Sequence, residues 1–233
     1  MSGYRERAAL APGAVLWTRT DSGGDPYRVL PDGCMDLIWH DGALLVAGPD
    51  TRAYVVADRP GSSYAGLRFA PGVGPALLGL PAREVRDLRV PLDDLWPAAE
   101  ARRLAARADR GPAVVLDAWA ADRARRLGPA DPLLPAVAAA LSAGRPVAGV
   151  AAACGLGERQ LRRRCEAAFG YGPRTLARVL RLQRALGMAR GGVPFARVAA
   201  DAGYADQPHL SREVRALAGV PLGELVARPS GGG

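Results

Sequence analysis

The sequence contains no lysine and no asparagine: all 31 of its basic side chains are arginine. This reads mainly as a coding bias. It nevertheless leaves arginine, the better residue for bidentate contact with phosphate or guanine, as the sole permanent cation. Long apolar runs are missing too. No segment approaches the about 18 uninterrupted apolar residues of a membrane-spanning helix, so no membrane is expected among the partners. The opening residues, MSGYRERAALAPG, have no apolar core of signal-peptide length. Cys34, Cys154 and Cys165 are odd in number and widely spaced, which fits a reducing cytoplasm rather than a disulfide framework. His40 is the only histidine in the first 130 residues, so no multi-histidine metal site can be assembled there. Neither metal nor cofactor is expected.

What is present suits a soluble globular protein long enough for two domains: 233 residues, 49% hydrophobic and 23% charged. The charge is unevenly spread. Residues 1–130 carry 17 Arg against 16 Asp and Glu, a net of +1, and residues 131–233 carry 14 Arg against 7 acids, a net of +7. The second half therefore holds nearly all of the formal +8, and a one-sided excess of that kind favours a polyanionic partner.

That basic half contains one pattern twice. Val150-Ala151-Ala152-Ala153-Cys154-Gly155-Leu156 is followed by Glu158-Arg159-Gln160-Leu161-Arg162-Arg163-Arg164; Val198-Ala199-Ala200-Asp201-Ala202-Gly203-Tyr204 is followed by Asp206-Gln207-Pro208-His209-Leu210-Ser211-Arg212. The copies are spaced by 48 residues, Gly155 to Gly203. Each outlines a helix-turn-helix: a short Ala-rich helix, a turn opening on glycine and a polar second helix. Leu161, Cys165, Ala168 and Phe169 recur at helical spacing and turn Arg159, Arg162 and Arg163 to the other side. A helix over Pro173–Arg190, apolar at Leu176, Val179, Leu182 and Leu186, joins the copies. Asp206 is a natural N-cap, and Gly170 and Gly219 are natural C-caps.

A recognition helix must enter a major groove about 12 Å wide and reach base edges with its polar face. Arg can bond guanine at two points, and Gln can do the same for adenine. The candidate reading residues are therefore Arg159, Arg162 and Arg163 in the first copy and Gln207, His209, Ser211 and Arg212 in the second. The remaining arginines would neutralise phosphates. With three arginines, the first helix is expected to supply more phosphate-linked affinity, and the second more varied base reading.

These residues carry a family resemblance. From Pro146 to Leu225 the chain resembles the DNA-binding domain of AraC/XylS-type transcription regulators. It does so in the first copy, in the linker run Leu180-Arg181-Leu182-Gln183-Arg184-Ala185, and most specifically in Val198 through Glu213 followed by Gly219-Val220-Pro221. Gly157 departs from the family pattern, which usually has a serine cap there, and Leu225 stands where an aromatic is common. The resemblance implies a cytoplasmic, non-enzymatic regulator bound to double-stranded DNA. It also implies an N-terminal β-barrel that binds a small-molecule effector or mediates homodimerisation, and contact with RNA polymerase if the protein activates. Two motifs in one chain do not themselves require a dimer.

Residues 1–70 read as short strands separated by turns, with Asp41-Gly42 a good hairpin candidate between Cys34–Trp39 and Ala43–Ala47. Turns are also expected at Asp21-Ser22-Gly23-Gly24 and Pro60-Gly61. Helices are expected over Val73–Leu80, Ala98–Ala108, Ala113–Leu127 and Leu133–Leu141. Gly128-Pro129-Ala130-Asp131-Pro132 is the expected boundary, and the tail Pro229–Gly233 is expected to be disordered. The fold class is α+β. Residues 1–128 form a small β-barrel-like sensor or dimerisation domain with trailing helices, and residues 131–228 an all-α DNA-binding domain of two helix-turn-helix motifs. The first domain resembles an uncharacterised sensor-like domain that often precedes this DNA-binding unit, through Val29–Trp39, Ala47-Gly48-Pro49 and Gly66–Gly72.

Strand alternation puts Cys34, Asp36, Ile38 and His40 on one face, and Met35, Leu37 and Trp39 on the other. Arg68 interrupts an apolar strand and could hold an anionic ligand or a structural carboxylate. Arg68, Cys34 and Asp36 are therefore the candidate effector site. Two other functions compete: a DNA-repair alkyl acceptor with Cys34 as nucleophile, and a partner-binding module that no longer touches DNA. An alkyl acceptor needs an activating base or metal, and no Cys–His pair or zinc-spaced cysteine cluster appears.

Overall fold

The computed structural model describes residues 3–21, 26–57, 59–128 and 131–227. The expected turn at Ser22–Gly24, the middle of the Gly128–Pro132 boundary and the Pro229–Gly233 tail lie outside the described residues.

The N-terminal half is built on an antiparallel sheet. Its strands are β1 (Arg5–Ala8), β2 (Ala14–Thr20), β3 (Tyr27–Val29), β4 (Met35–His40), β5 (Ala43–Ala47), β6 (Tyr54–Val56) and β7 (Ser63–Phe69). Helix α1 (Gly74–Leu78) and a 3-10 turn (Ala82–Glu84) lead to β8 (Arg89–Pro91). Six strands pair in the order β1-β2-β7-β4-β5-β8, and β3 pairs separately with β6. In this order β1 and β8 take the end positions, and β3–β6 form a two-stranded flap, together the β-rich half of the expected α+β fold. The β4–β5 hairpin turns at Asp41 (φ 46°) and Gly42 (φ 81°), both left-handed, as a two-residue turn of the I′ type requires.

Alternation decides the two faces of the sheet. Leu16, Met35, Leu37, Leu44, Val46, Leu67 and Phe69 face one side and form a single core with Leu77, Leu78, Leu104 and Leu116. These last belong to α1 and to two later helices, α3 (Ala98–Ala108) and α4 (Pro112–Leu127), which follow the short α2 (Leu92–Leu95). Asp117 of α4 is buried and pins the N-terminal edge: its carboxylate accepts the Leu10 N–H (2.7 Å) and pairs with Arg7 (2.7 Å). β1 escapes a hydrophobic reading because its sequence, RERA, is exposed throughout; pairing with β2 alone makes it a strand, and charge suits it to an edge.

The C-terminal half is helical: α5 (Leu133–Ser142), α6 (Val147–Ala153), α7 (Glu158–Phe169), α8 (Pro173–Arg190), α9 (Phe195–Ala202), α10 (Gln207–Ala218) and α11 (Leu222–Ala227). It has two cores, and α8 serves both. Leu176 and Val179 pack with Val137, Leu141, Val150, Leu161, Cys165 and Phe169. Leu182, Ala185, Leu186 and Ala189 pack with Val198, Leu210, Val214 and Leu217.

The halves meet along α7, α8 and α10. The turn Ala82–Glu84 packs on α7, and Gly170, at the end of α7, lies against Pro49 and Ala82, where a side chain would collide with the Pro49 ring. Ala53 donates its backbone N–H to the Leu217 carbonyl (2.7 Å). The loop between β3 and β4 is the tightest seam. Leu30 packs on the second helical core, Pro31 accepts a hydrogen bond from Gln183 Nε2 (2.6 Å), and Gly33 sits beside the Tyr171 hydroxyl.

Two glycines should respond in opposite directions. Trp17 lies flat over Gly66 of β7, so a Cβ there would run into the indole. Gly66→Ala should cost about 1–3 kcal/mol through overpacking. Gly187 is exposed within α8 with nothing near its Cα, and Gly187→Ala should stabilise by about 0.5–1 kcal/mol. Urea unfolding of the full chain measures both.

Candidate nucleic-acid interface and ligand cavity

Each helix-turn-helix is set by a left-handed glycine and a cap. Gly155 (φ 64°) and Gly203 (φ 77°) end the first helices, and Gly170 (φ 78°) and Gly219 (φ 76°) end the second. At the start of α10, Asp206 accepts the His209 backbone N–H (2.6 Å). At the start of α7 there is no capping side chain at Gly157; instead Gln160 reaches back and accepts the Gly157 N–H (3.0 Å). That is the returning half of a capping box.

The structure revises the spacing of the repeat. From Gly155 to Gly203 it is 48 residues, but the second helices start at Glu158 and Gln207 and are capped by Gly170 and Gly219, 49 residues apart in each case. The second turn holds one residue more. Arg162 and Arg163 are therefore the counterparts of Ser211 and Arg212, while Gln207 corresponds to Glu158 rather than to Arg159.

Arg159, Arg162, Arg163, Gln207, Ser211 and Arg212 are all exposed. Arg162 leans along its helix onto Glu166 (2.8 Å). His209 differs: it is half-buried, its Nδ1 accepts the Ala205 N–H (3.2 Å), and its ring meets Tyr204 edge-on (5.4 Å). It braces the start of α10.

Three arginines of α8, Arg178, Arg181 and Arg184, are braces too. Arg178 grips Glu213 of α10 through Nε (2.9 Å) and Nη2 (3.3 Å), and this hydrogen bond holds the Glu213 carboxyl below its ordinary pKa. Arg181 donates to the Gly203 carbonyl (3.1 Å) and lies over the Tyr204 ring. Arg184 donates to Ser142 and Asp201 carbonyls (both 2.8 Å), closing the ends of α5 and α9. By contrast Arg174 is exposed and, with Arg159, Arg162 and Arg86 of the N-terminal half, lines an open groove at the start of α8.

The second site lies in the N-terminal half, between the sheet and the β3–β6 flap. It is a cavity of about 260 Å³ with aromatic and apolar walls. Arg68, Asp36 and Cys34 all line it, so the three residues singled out in sequence do come together. Trp17 donates its indole N–H to Asp36 Oδ1 (2.7 Å). Arg68 Nε stands 3.5 Å from that oxygen and 3.9 Å from Asp32 Oδ2, and it is buried without a hydrogen bond. Burial opposes the Arg68 charge, but Asp36 and Asp32 more than offset it and raise its pKa. Burial pushes the Asp36 carboxyl above its ordinary value, with Arg68 and the Trp17 bond pulling the other way. Burial, then Asp32 and Asp36, push the Cys34 thiol well up, the reverse of what a nucleophilic acceptor needs. On the cavity rim, Arg89 is spent on Asp50 (2.6 and 2.8 Å) and lies over Tyr54, while Arg19 lies over Tyr27 (3.5 Å).

With this geometry in view, two family models match the chain. Residues 150–228 match one described as a helix-turn-helix domain. The C-terminal domain is of the AraC type. Residues 14–91 match a domain of unknown function, DUF6597. No curated protein sequence matches the chain. Among solved structures, an apo variant of ToxT from Vibrio cholerae aligns at 12% identity with TM-score 0.51, over 96% of this chain and 99% of that one. ToxT from Vibrio cholerae O395 aligns at 10% identity and TM-score 0.51, over 92% and 97%. The same protein bound to a methylnaphthyl butenoic acid aligns at 8% identity and TM-score 0.50, over 96% and 98%. At these identities the likeness is one of fold. A helix-turn-helix domain following a β-rich domain gives the chain its mixed α+β class. Among the described residues no helix is long and apolar enough to cross a membrane.

Sequence reasoning missed much of the cavity. Trp17 and Arg19 on β2, Tyr64 on β7, and Tyr27 and Tyr54 on the flap line it alongside the three residues found. The signal was available for β2 and β7: alternation puts Trp17 and Arg19 on one face, and Tyr64, Gly66 and Arg68 on one face. Nothing in the sequence shows which strands will be neighbours. In the AraC-type domain the missed residues are Gln160 and the bracing set Arg178, Arg181 and Arg184.

The Arg178–Glu213 pair gives a pH dependence with a defined sign. A carboxyl whose pKa is depressed in the folded state adds stability above its unfolded pKa and loses it as pH falls through the folded value. Wild type should therefore exceed Glu213→Gln in thermal stability near neutrality, and the difference should close on acidification below the ordinary glutamate range. Melting curves of both proteins across that range check it.

Proposed function

We propose that the chain is a sequence-specific, effector-responsive transcription regulator that sets α7 and α10 into adjacent major-groove segments on one face of DNA. The observation that carries this reading is the pairing of two helix-turn-helix units on one shared helix, each with an exposed polar face at equivalent positions: Arg162 and Arg163 on α7, Ser211 and Arg212 on α10. The 18 residues of α8 span about 27 Å, somewhat less than the about 34–36 Å of one DNA turn that separates successive half-sites on a face. In this reading Arg159, Arg163, Gln207, Ser211 and Arg212 meet bases, while Arg162 and the groove formed with Arg174 and Arg86 meet phosphate. His209 keeps α10 in position. α7 adds more affinity and α10 more discrimination.

Residues 131–228 act as the DNA-binding domain and residues 1–128 as the sensor, with the cavity at Arg68, Asp36 and Cys34 as effector site. Support for a small-molecule effector comes from the cavity beneath the flap and from the fold neighbour ToxT, solved with an aromatic carboxylic acid bound. The protein works in the cytoplasm without enzymatic activity. It needs no second copy to present two motifs, though a homodimer is compatible with the exposed β1 edge; as an activator it would also contact RNA polymerase. The alkyl-acceptor alternative loses support from the raised Cys34 pKa, and the partner-only alternative from the exposed arginines.

Selection from random duplexes should yield a site bound with affinity that falls steeply as salt rises. Arg163→Ala and Arg212→Ala should each weaken that site by about 1–3 kcal/mol, with relaxed preference at one base pair. Ser211→Ala or Gln207→Ala should reduce discrimination more than random-duplex affinity. Unchanged binding by both arginine variants would refute the assignment of α7 and α10.

A further inference from the structure

The cavity between the sheet and the flap has a polar floor whose geometry restricts what it can bind. Arg68 is its central donor. Its Nε is buried with no hydrogen bond, and its nearest carboxylate oxygens, at 3.5 and 3.9 Å, are at ion-pair distance only. Asp36 and Asp32 flank it as acceptors. One Asp36 oxygen takes the Trp17 indole and one Asp32 oxygen takes the Cys34 N–H. The Cys34 thiol also bonds Asp32, whereas Asp36 accepts only the Trp17 indole among the described residues. The floor therefore offers an unused donor beside carboxylate acceptors with lone pairs to spare. A buried donor without a partner costs free energy, and so does a buried acceptor, so the ligand that fits must supply both complements side by side.

Charge narrows the ligand further. The cavity is lined by Arg19, Arg68 and Arg89 against Asp32, Asp36 and Asp50, and these cancel. Arg89 is already held by Asp50 at two points, and Arg19 lies over Tyr27. Arg68 alone remains for a ligand, and it faces two carboxylates. A ligand carboxylate placed on Arg68 would be a third negative group around one guanidinium, in a space where burial already disfavours the ionised form of Asp36. A ligand cation would instead meet Arg68 at the centre of the floor. The walls ask for a flat ring: Trp17 lies against Gly66 with no side chain beneath it, and Ile38, Leu45 and Tyr64 enclose the rest. A volume of about 260 Å³ suits one or two fused rings.

We propose that this cavity binds a neutral, planar aromatic molecule whose edge carries a hydrogen-bond acceptor next to a donor, as an aromatic amide or lactam does. The carbonyl accepts from Arg68 and the adjacent N–H donates to Asp36 or Asp32, with the ring against Trp17. As an effector site the assignment rests on the regulator reading above; as a binding site it stands without it.

Matched probes on one ring separate the charge states: 1-naphthamide, 1-naphthoate and 1-naphthylmethylamine, with benzamide and benzoate as a smaller pair. Calorimetry and thermal shift of the full wild-type chain at neutral pH should show an amide binding, and its carboxylate at least about tenfold weaker, because like charges set side by side oppose binding. The amine should not bind. Asp36→Asn, which keeps shape and one acceptor, should weaken the amide and narrow its advantage over the carboxylate; Ile38→Trp, which fills the cavity, should abolish both. Binding of the carboxylate or the amine as tight as that of its amide overturns the proposal, and so does failure of both amides to bind wild type. Adding the bound amide to the complex with the selected duplex is read separately. Amide binding with unaltered DNA affinity leaves the site standing and removes its effector role, whereas loss of amide binding with intact DNA selectivity leaves the regulator reading standing.

Discussion

The helix α8 cannot be moved without dismantling both helix-turn-helix motifs. Its first half completes the core around α6 and α7, and its second half completes the core around α9 and α10. Neither cluster would close a hydrophobic interior without it, because α6 and α9 are single short helices of 7 and 8 residues. Its polar positions serve the same end. Arg178, Arg181 and Arg184 tie down α10, the turn before it and the ends of α5 and α9, so the chain's basic excess is partly consumed inside the domain. The arginines that the proposed reading assigns to DNA are exposed ones on α7 and α10, together with Arg174.

A second dependence runs through the sheet. Its two faces have opposite chemistry because alternation along β2, β4, β5 and β7 is in register across four neighbouring strands. One face is an ordinary aliphatic core; the other gathers charge pairs and aromatic rings beneath the flap. Buried ion pairs cost desolvation that aliphatic packing would avoid, and they add little net stability. A cavity that retains Arg68, Asp32 and Asp36 while Arg68 Nε stays without a hydrogen bond carries a cost that aliphatic packing would not.

Much of this was legible in the chain. α8 and α3 run over the residues their apolar spacing predicts, and the Asp41-Gly42 hairpin forms because both residues accept left-handed dihedrals. The alternation at Met35–His40 correctly separates the core face from the face of Asp36, although a cavity rather than a sheet core lies on the latter side. Less was visible where neighbours decide the outcome. β1 is held by pairing alone, and β8 carries Pro91 and forms at the edge next to β5. The additional residue in the second turn is hidden because the glycines align at one spacing and the caps at another. The arginines of α8 look like any other basic face until the carbonyls they reach are in place.

The loop from Leu30 to Cys34 belongs to both halves of the molecule at once. Asp32 and Cys34 line the cavity, while Leu30, Pro31 and Gly33, interleaved with them, touch the second helical core, Gln183 and Tyr171. There is no slack between those duties: adjacent Cα atoms are fixed at about 3.8 Å by the peptide bond. A molecule that draws Asp32 towards itself must pull on the carbonyl that seats α8, or be resisted by it. The strength of that seam therefore sets how much of any ligand's grip the N-terminal half can keep and how much it must share with the helices beyond.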